Sequence, residues 1–555
     1  MVIIDLIQQA FGFIVPLAIL LGLLIFVHEL GHFSVAKFFG VRVETFSIGF
    51  GKKIWERTKG DTTYCLSLIP FGGYVKMYGD DPTADIPESE KQYSFLHKSV
   101  WQRIGVVLAG PLMNFFFAIL VFALIALVGE DKPIAKVGEI QPGTAAHIMG
   151  LQAGDEILKV NGKSVSLMEE VQSLVEKNAN AKITMTIKRH GSEQEMELQG
   201  ETLIVENPNI LSTEKMVGSL EGLQFMPTAS MVGIDQPDSI AAQKGLATGS
   251  LITEVDGVKL QRWYELEYLM NKAISENKSF TLKFKVDQNA EEQSVQLNAQ
   301  EDAFKNLKEF GIHPLDLFVG SVVDESAAKA AGLQKNDHIT AIDGNEISHW
   351  SELVNRVRAY EEDKQPLALK VVRAGEELNM EMSPKPVLQK DPVTGMEKKV
   401  YAIGITTSLM GAPPVLTLVR SSNVLEVIKR GFVDSYNWSV TTVLSFWKLL
   451  TNQVSAKSIG GPLMIGQLAS QSMAVGLSAF LKIMGIISIN LFILNLLPLP
   501  VLDGGHLLFY TIEVIRGKPV SMRVLEVAQT FGLVLLLSLM VFATYNDFAR
   551  FLGFL

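Results

Sequence analysis

The sequence predicts an α-helical membrane protein of about four transmembrane helices, interrupted by a large insert of tandem α/β domains. Three observations carry this. Hydrophobic residues make up 48% and charged residues 19% of 555, which excludes a disordered or fibrous chain and is unusual for a wholly soluble one. The long apolar runs cluster at the two ends, while the middle reads as soluble protein. The middle also repeats itself three times. At ~100–200 residues per domain the length asks for several modules. A net charge of −10, from 49 bases and 59 acids, argues against a nucleic-acid partner. The single cysteine, Cys65, excludes an internal disulfide and a Cys-rich zinc site.

A membrane-crossing helix needs ~20 mostly apolar residues. The first such run is Ala10–Val27, ending at His28. No Lys or Arg precedes it and no small-residue cleavage site follows, so it is expected to be a retained span rather than a removed leader. The others are Ile104–Val128, Leu477–Leu499 and Val524–Ala543. A fifth stretch, Phe432–Leu450, carries Asp434, Asn437 and Lys448, and is expected as an amphipathic helix lying in the lipid interface. Loop charge sets orientation. Ten bases lie between spans one and two, from Lys37 to Arg103, and Arg516, Lys518 and Arg523 lie between spans three and four. Both loops are therefore expected in the cytoplasm, with both termini and the insert, about residues 129–425, on the other side.

Three segments of the insert align: GLQAGDEILKVNG (Gly150–Gly162), GLATGSLITEVDG (Gly245–Gly257) and GLQKNDHITAIDG (Gly332–Gly344). Each follows a short Ala-rich helical pattern and precedes an amphipathic helix and alternating strands. A period near 90 residues is one small domain per repeat. The repeats resemble PDZ domains of the bacterial protease type. That resemblance implies that a peptide or a C-terminus can bind as an added strand, and the short runs AKVGEI, MVGIDQ and FVGSVV are the nominated edges. A spacer or gating role is the alternative. The middle repeat departs from the others: Ser250 stands where they have Asp155 and Asp337.

The expected organisation follows. An N-terminal membrane half spans 1–128, with a re-entrant β-hairpin region at about 42–80. Three PDZ-like domains span 129–205, 216–300 and 312–386. A linker with the interfacial helix spans 387–470, and a C-terminal membrane half spans 471–555.

The chemistry is carried by His28-Glu29-Leu30-Gly31-His32. On a helix the two histidines lie one turn apart on one face, where they can share a zinc ion, and Glu29 stands beside them to take a proton from water. Ionisable groups on an apolar span are costly and mark function. A zinc hydrolase keeps three protein ligands. The third is sought between Asn490 and His506, where Pro498 and Pro500 break the helix and let irregular backbone line a cavity. Asp503 is favoured, with His506 as the alternative.

HELGH on the first span, GPLMN at Gly110–Asn114 and NLLPLPVLDGG at Asn495–Gly505 together resemble the site-2 protease family of intramembrane zinc metalloproteases. SIGFG (Ser47–Gly51), LIPFGGYVKM (Leu68–Met77) and GGPLMIGQLA (Gly460–Ala469) extend the match over both membrane halves. The resemblance implies one catalytic zinc ion held by His28, His32 and Asp503, with Glu29 as general base. It implies that Asn495, and more weakly Asn490, hold the substrate backbone. It also implies that Thr62–Met77, with Gly72 and Gly73, is a hairpin offering an edge strand to an unwound substrate. The PDZ-bearing branch usually carries two such domains; three are counted here. That branch sits in the bacterial inner membrane, with its insert in the periplasm and its active site towards the cytoplasm. Its substrates are single-span membrane proteins of the anti-sigma-factor type, already trimmed outside the membrane, in envelope-stress signalling. A processor of signal-peptide remnants, a non-catalytic PDZ scaffold and a metal transporter are the competing classes. The transporter would need ionisable residues along several spans, of which spans two and four have almost none.

Overall fold

The computed structural model describes residues 2–81, 85–287, 289–361, 365–390 and 397–552. Residues 391–396 of the expected linker lie outside them. The chain forms two compact units, residues 2–130 with 418–552 and residues 131–390 with 397–417.

The first unit holds helices α1 (Val2–Phe38), α2 (Val100–Val128), α3 (Val424–Leu450), α4 (Pro462–Val475), α5 (Leu477–Leu496), α6 (Asp503–Arg516) and α7 (Met522–Phe551). Strands β1 (Val43–Lys59) and β2 (Thr62–Met77) lie between α1 and α2. Among the described residues four helices are long and apolar enough to cross a membrane: Phe11–Phe38 of α1, then α2, α5 and α7. A core shared by the first three of them joins Leu20 and Leu24 of α1, Phe122 of α2, and Phe480 and Met484 of α5. The apolar run of the first span ends at His28, but the helix continues to Phe38. Ala36, with the partly buried Phe33 and Val35, packs into a second core beside α2 and extends it. HELGH therefore lies within a helix, His28 about 15 Å and His32 about 9 Å from its end at 1.5 Å per residue.

The stretch expected to lie in the interface is the greater part of α3. It runs alongside α2 and α5. Gly431, Ser435 and Thr442 form its buried face, Gly431 abuts Ile119 and Ala123, and Thr442 Oγ1 donates to Asn490 Oδ1 at 2.8 Å. Small residues on one face allow this lengthwise approach. The sequence displays an amphipathic helix but not what covers it.

The hairpin is also more elaborate than expected. β1 and β2 each bend, at Gly49–Gly51 and at Gly72, so that Thr45–Ile48 pairs with Thr63–Leu66 on one side and with Gly73–Lys76 on the other. Lys53–Lys59 and Gly73–Met77 are the outer runs of this four-run sheet.

The second unit has three cores, one per repeat. Each repeat joins a four-residue helix and a longer one to an antiparallel sheet. The longer helices are Met168–Glu176, Trp263–Ser275 and Trp350–Arg358. This is the PDZ-like α/β arrangement.

The nominated edges are not edges. Lys136 bridges Glu156 while Glu139–Ile140 pairs with Leu223–Gln224. Val232 pairs with both Ser250 and Pro314. Phe318 bridges His338 while Val319–Val322 pairs with Ile405–Thr407. A short closing strand takes the outer place each time, so the expected limits at 205, 300 and 386 stop short of it. Two or three residues are too few to display alternation. The signal that was available is a left-handed glycine just before each closing strand: Gly222, Gly311 and Gly404.

Asp155 is buried and takes Arg189 Nε and Nη2 at 3.1 and 3.2 Å; Asp337 takes Arg373 at 2.7 and 2.6 Å. Both arginines also donate to a loop carbonyl, Gly150 or Gly332, at 2.8 Å. In the middle repeat both partners change together, to Ser250 and Val286, and Ser250 Oγ accepts from the Ala247 amide at 3.0 Å. The departure at Ser250 thus concerns loop scaffolding, not the groove.

Candidate active site

His28 and His32 project from one face of α1, and Asp503 opens α6. The Asp503 carboxylate lies 3.2 Å from His28 Nε2 and 3.5 Å from His32 Nε2, and the two Nε2 atoms are 3.2 Å apart. All three ligand atoms fall within 4.8 Å of one another. Asp503, and not His506, joins the histidines in this cluster. α6 is tied to α2 by Arg103, which pairs with Glu513 at 2.6 Å and lies over the Tyr510 ring at 4.8 Å.

Each imidazole is braced on its far nitrogen. His32 Nδ1 donates to the Val106 carbonyl at 2.9 Å, which leaves Nε2 free to give a lone pair. His28 Nδ1 lies 3.3 Å from the Asn114 side-chain amide. Asn114 is fully buried and its Oδ1 has no hydrogen-bond partner among the described residues. Amide oxygen and nitrogen are nearly alike in shape. Turned over, the orphaned Oδ1 accepts from His28 Nδ1–H, and His28 Nε2 is freed as well. Gly110 completes the pocket: a Cβ there would lie 2.2 Å from His32 Nε2. Two imidazole nitrogens and one carboxylate oxygen, with both rings oriented from behind, are the donor set that zinc takes when one position stays open.

Glu29 is buried next to the cluster. The outer run Gly73–Met77 passes it: a Cβ on Gly73 would lie 3.0 Å from Glu29 Cγ and 2.8 Å from Ile25. Gly72 packs on Phe50 with a left-handed backbone. Asn495 is partly buried in the last turn of α5 and makes no side-chain hydrogen bond among the described residues. Asn490 is committed to Thr442 of α3, a packing contact rather than one to the cluster. The sequence reading passed over Asn114 and Gly110 except as letters of GPLMN; their spacing of four, one helical turn beside HExxH, was the available signal.

The description "Peptidase family M50" matches residues 16–539. Regulator of sigma-E protease RseP of Escherichia coli (strain K12) is 31% identical over 536 residues, covering 96% of this chain and 97% of its own. RseP of Salmonella typhimurium (strain 14028s) is 32% identical over 534 residues, with the same coverage. The regulator of sigma E protease of Haemophilus influenzae is 31% identical over 549 residues, covering 97% and 98%. A solved PDZ domain protein from Parabacteroides distasonis covers 50% of this chain and 95% of its own, at a TM-score of 0.13 and 12% identity, too loose a likeness to bear on the fold. With a family match over nearly its whole length and relatives aligned end to end, this chain belongs to peptidase family M50 and is a membrane-embedded zinc metalloprotease.

Proposed function

We propose that the chain cuts single-span membrane proteins within or near their transmembrane segment, with His28, His32 and Asp503 holding one zinc ion and Glu29 as general base. The observation that carries this is the convergence of the three ligand atoms beside buried Glu29, inside a helix long enough to span a membrane. Zinc bound there supplies Lewis acidity towards a peptide carbonyl and lowers the pKa of water towards ~7. Glu29 takes the proton from the attacking water and returns it to the leaving amine. A helical peptide bond is shielded by its own hydrogen bonds, so the substrate must unwind. The run Gly73–Met77 is a partner for the freed amides, and Asn495 is a donor and acceptor for the same backbone.

The loop charges favour an active site towards the cytoplasm and an insert in the periplasm. Relatives named as regulators of sigma-E support an anti-sigma factor, trimmed first on its outer side, as the substrate class. The PDZ-like repeats suit a filter against untrimmed substrates, with their grooves reading a peptide or a new C-terminus.

The test is cleavage of a single-span substrate, with and without its outer domain, by reconstituted wild type and by Glu29→Gln. The expected result is a product from the trimmed substrate only, lost in Glu29→Gln, with zinc content unchanged. Equal cleavage of both substrates keeps the protease and removes the filter. A product that persists in Glu29→Gln overturns the mechanism.

A further inference from the structure

Outside the membrane helices, the structure assembles a second set of the same donors. Asp235 follows the strand Met231–Gly233, His313 lies in the strand that closes the middle repeat, and His338 opens the strand His338–Ile342 of the third. Asp235 Oδ1 lies 3.4 Å from His313 Nε2, and Asp235 Oδ2 lies 2.9 Å from His338 Nδ1. The three ligand atoms fall within 4.8 Å of one another. Among the described residues only this group and the His28, His32, Asp503 cluster converge in this way. The spacing also matches: 2.9 and 3.4 Å here, 3.2 and 3.5 Å there.

The set is held from behind. Phe318 stacks on the His338 ring at 4.4 Å, with the planes 5° apart. The Asp235 carbonyl accepts from the Gly375 amide at 2.7 Å, which fixes the loop that carries the carboxylate. His338 is 9% exposed, so its ring is held inside the junction rather than in solvent. Side chains from two repeats thus meet at one point, where surface ion pairs would leave the histidines solvated and apart.

We propose that Asp235, His313 and His338 form a second metal site, structural in role, that takes one zinc-class divalent ion and clamps the middle repeat to the third. Two imidazoles and a carboxylate suit zinc, with water as a fourth ligand. An ion there adds its binding free energy to the folding of the junction, since an unfolded chain does not bring these residues together. The proposal does not rest on the catalytic reading, because its ligands share no residue with the membrane cluster.

The test is metal counting. Full-length protein in detergent is stripped with a chelator, reloaded with zinc, dialysed and assayed by elemental analysis. The expected result is about two ions per wild-type chain, and about one in each of Asp235→Asn, His313→Gln, His338→Gln and His28→Phe. Cobalt(II) loading of His28→Phe should then leave a visible spectrum of nitrogen and oxygen ligands that disappears when His313→Gln is added. One ion per wild-type chain, lost in His28→Phe and kept in His313→Gln, overturns the proposal and leaves the cluster as an Asp–His hydrogen-bond network. A second ion that survives all three insert substitutions overturns it equally. Should the insert variants fail to fold, the wild-type count and the His28→Phe cobalt spectrum still decide.

Discussion

Asn114 on α2 stands 3.3 Å from Nδ1 of His28 on α1, and its amide oxygen is buried without a hydrogen-bond partner among the described residues. A buried orphan acceptor costs roughly 1–3 kcal/mol, and turning Oδ1 towards His28 Nδ1–H gives that oxygen its donor. That arrangement fixes the tautomer in which Nε2 can bind metal. Asn114→Ala should therefore weaken zinc binding by about 10–100-fold while the fold survives. Competition against a chromophoric chelator measures this; unchanged affinity would show that the amide only fills space.

Gly110 makes a sharper prediction. A methyl group there would occupy the place of His32 Nε2, at 2.2 Å, and His32 cannot back away without giving up the Val106 carbonyl. Gly110→Ala should lower cleavage about 100-fold or more, since small displacements at a catalytic centre cost that much. Zinc content should fall with it. Circular dichroism should show the helices intact.

How far the site was legible follows from the kind of signal each part leaves. HExxH writes its geometry into spacing along one helix, so His28, Glu29 and His32 could be placed without coordinates. Asp503 lies 471 residues after His32, and the helix-breaking prolines, the charge argument and the NLLPLPVLDGG resemblance pointed to it. The bracing of the histidines from α2 left no spacing of its own within α1, because it depends on how two helices pack. The same limit explains α3: its pattern displays an apolar face, but the face that meets α2 and α5 is the small and polar one, Gly431, Ser435 and Thr442, while Phe432 and Trp447 stay exposed. The repeats were legible because the same turn recurs three times. Their closing strands were not, because they are two or three residues long.

The repeats contain their own mutational comparison. The first and third bury an aspartate against an arginine, and the middle one replaces both partners with Ser250 and Val286. Removing one partner of a buried pair strands the other, at about 3–5 kcal/mol, whereas replacing both with a fitted apolar pair is close to neutral. Arg189→Val alone should therefore destabilise the first repeat by roughly 3 kcal/mol. Asp155→Ser with Arg189→Val should recover most of that loss. Hydrogen exchange of Glu156–Val160 and Lys182–Lys188 reads the local stability. A double variant no better than the single would mean that the arginine holds the Gly150 carbonyl for a reason of its own.

The last prediction concerns pH. His349 Nδ1 lies 2.9 Å from Asp316 and its Nε2 lies 3.5 Å from Glu139, which joins the third repeat to the first. Burial would lower its pKa, but hydrogen bonds to Asp316 and Glu139 outweigh that and push it up to about 10. In the unfolded chain it titrates near 6.5. The folded state therefore holds a proton that the unfolded state releases. The stabilisation is fully present below about pH 6.5 and is lost as pH rises through about 10. His349→Gln should cost roughly 2 kcal/mol at pH 6, allowing for partial exposure, and close to nothing at pH 10. Denaturant unfolding of the full chain, followed by hydrogen exchange around Glu139, Asp316 and Trp350, measures both limits. Equal pH dependence in the variant and wild type would show that the junction takes its stability from the Trp350 amide bond to Asp316 instead, a 2.9 Å contact that does not titrate with His349.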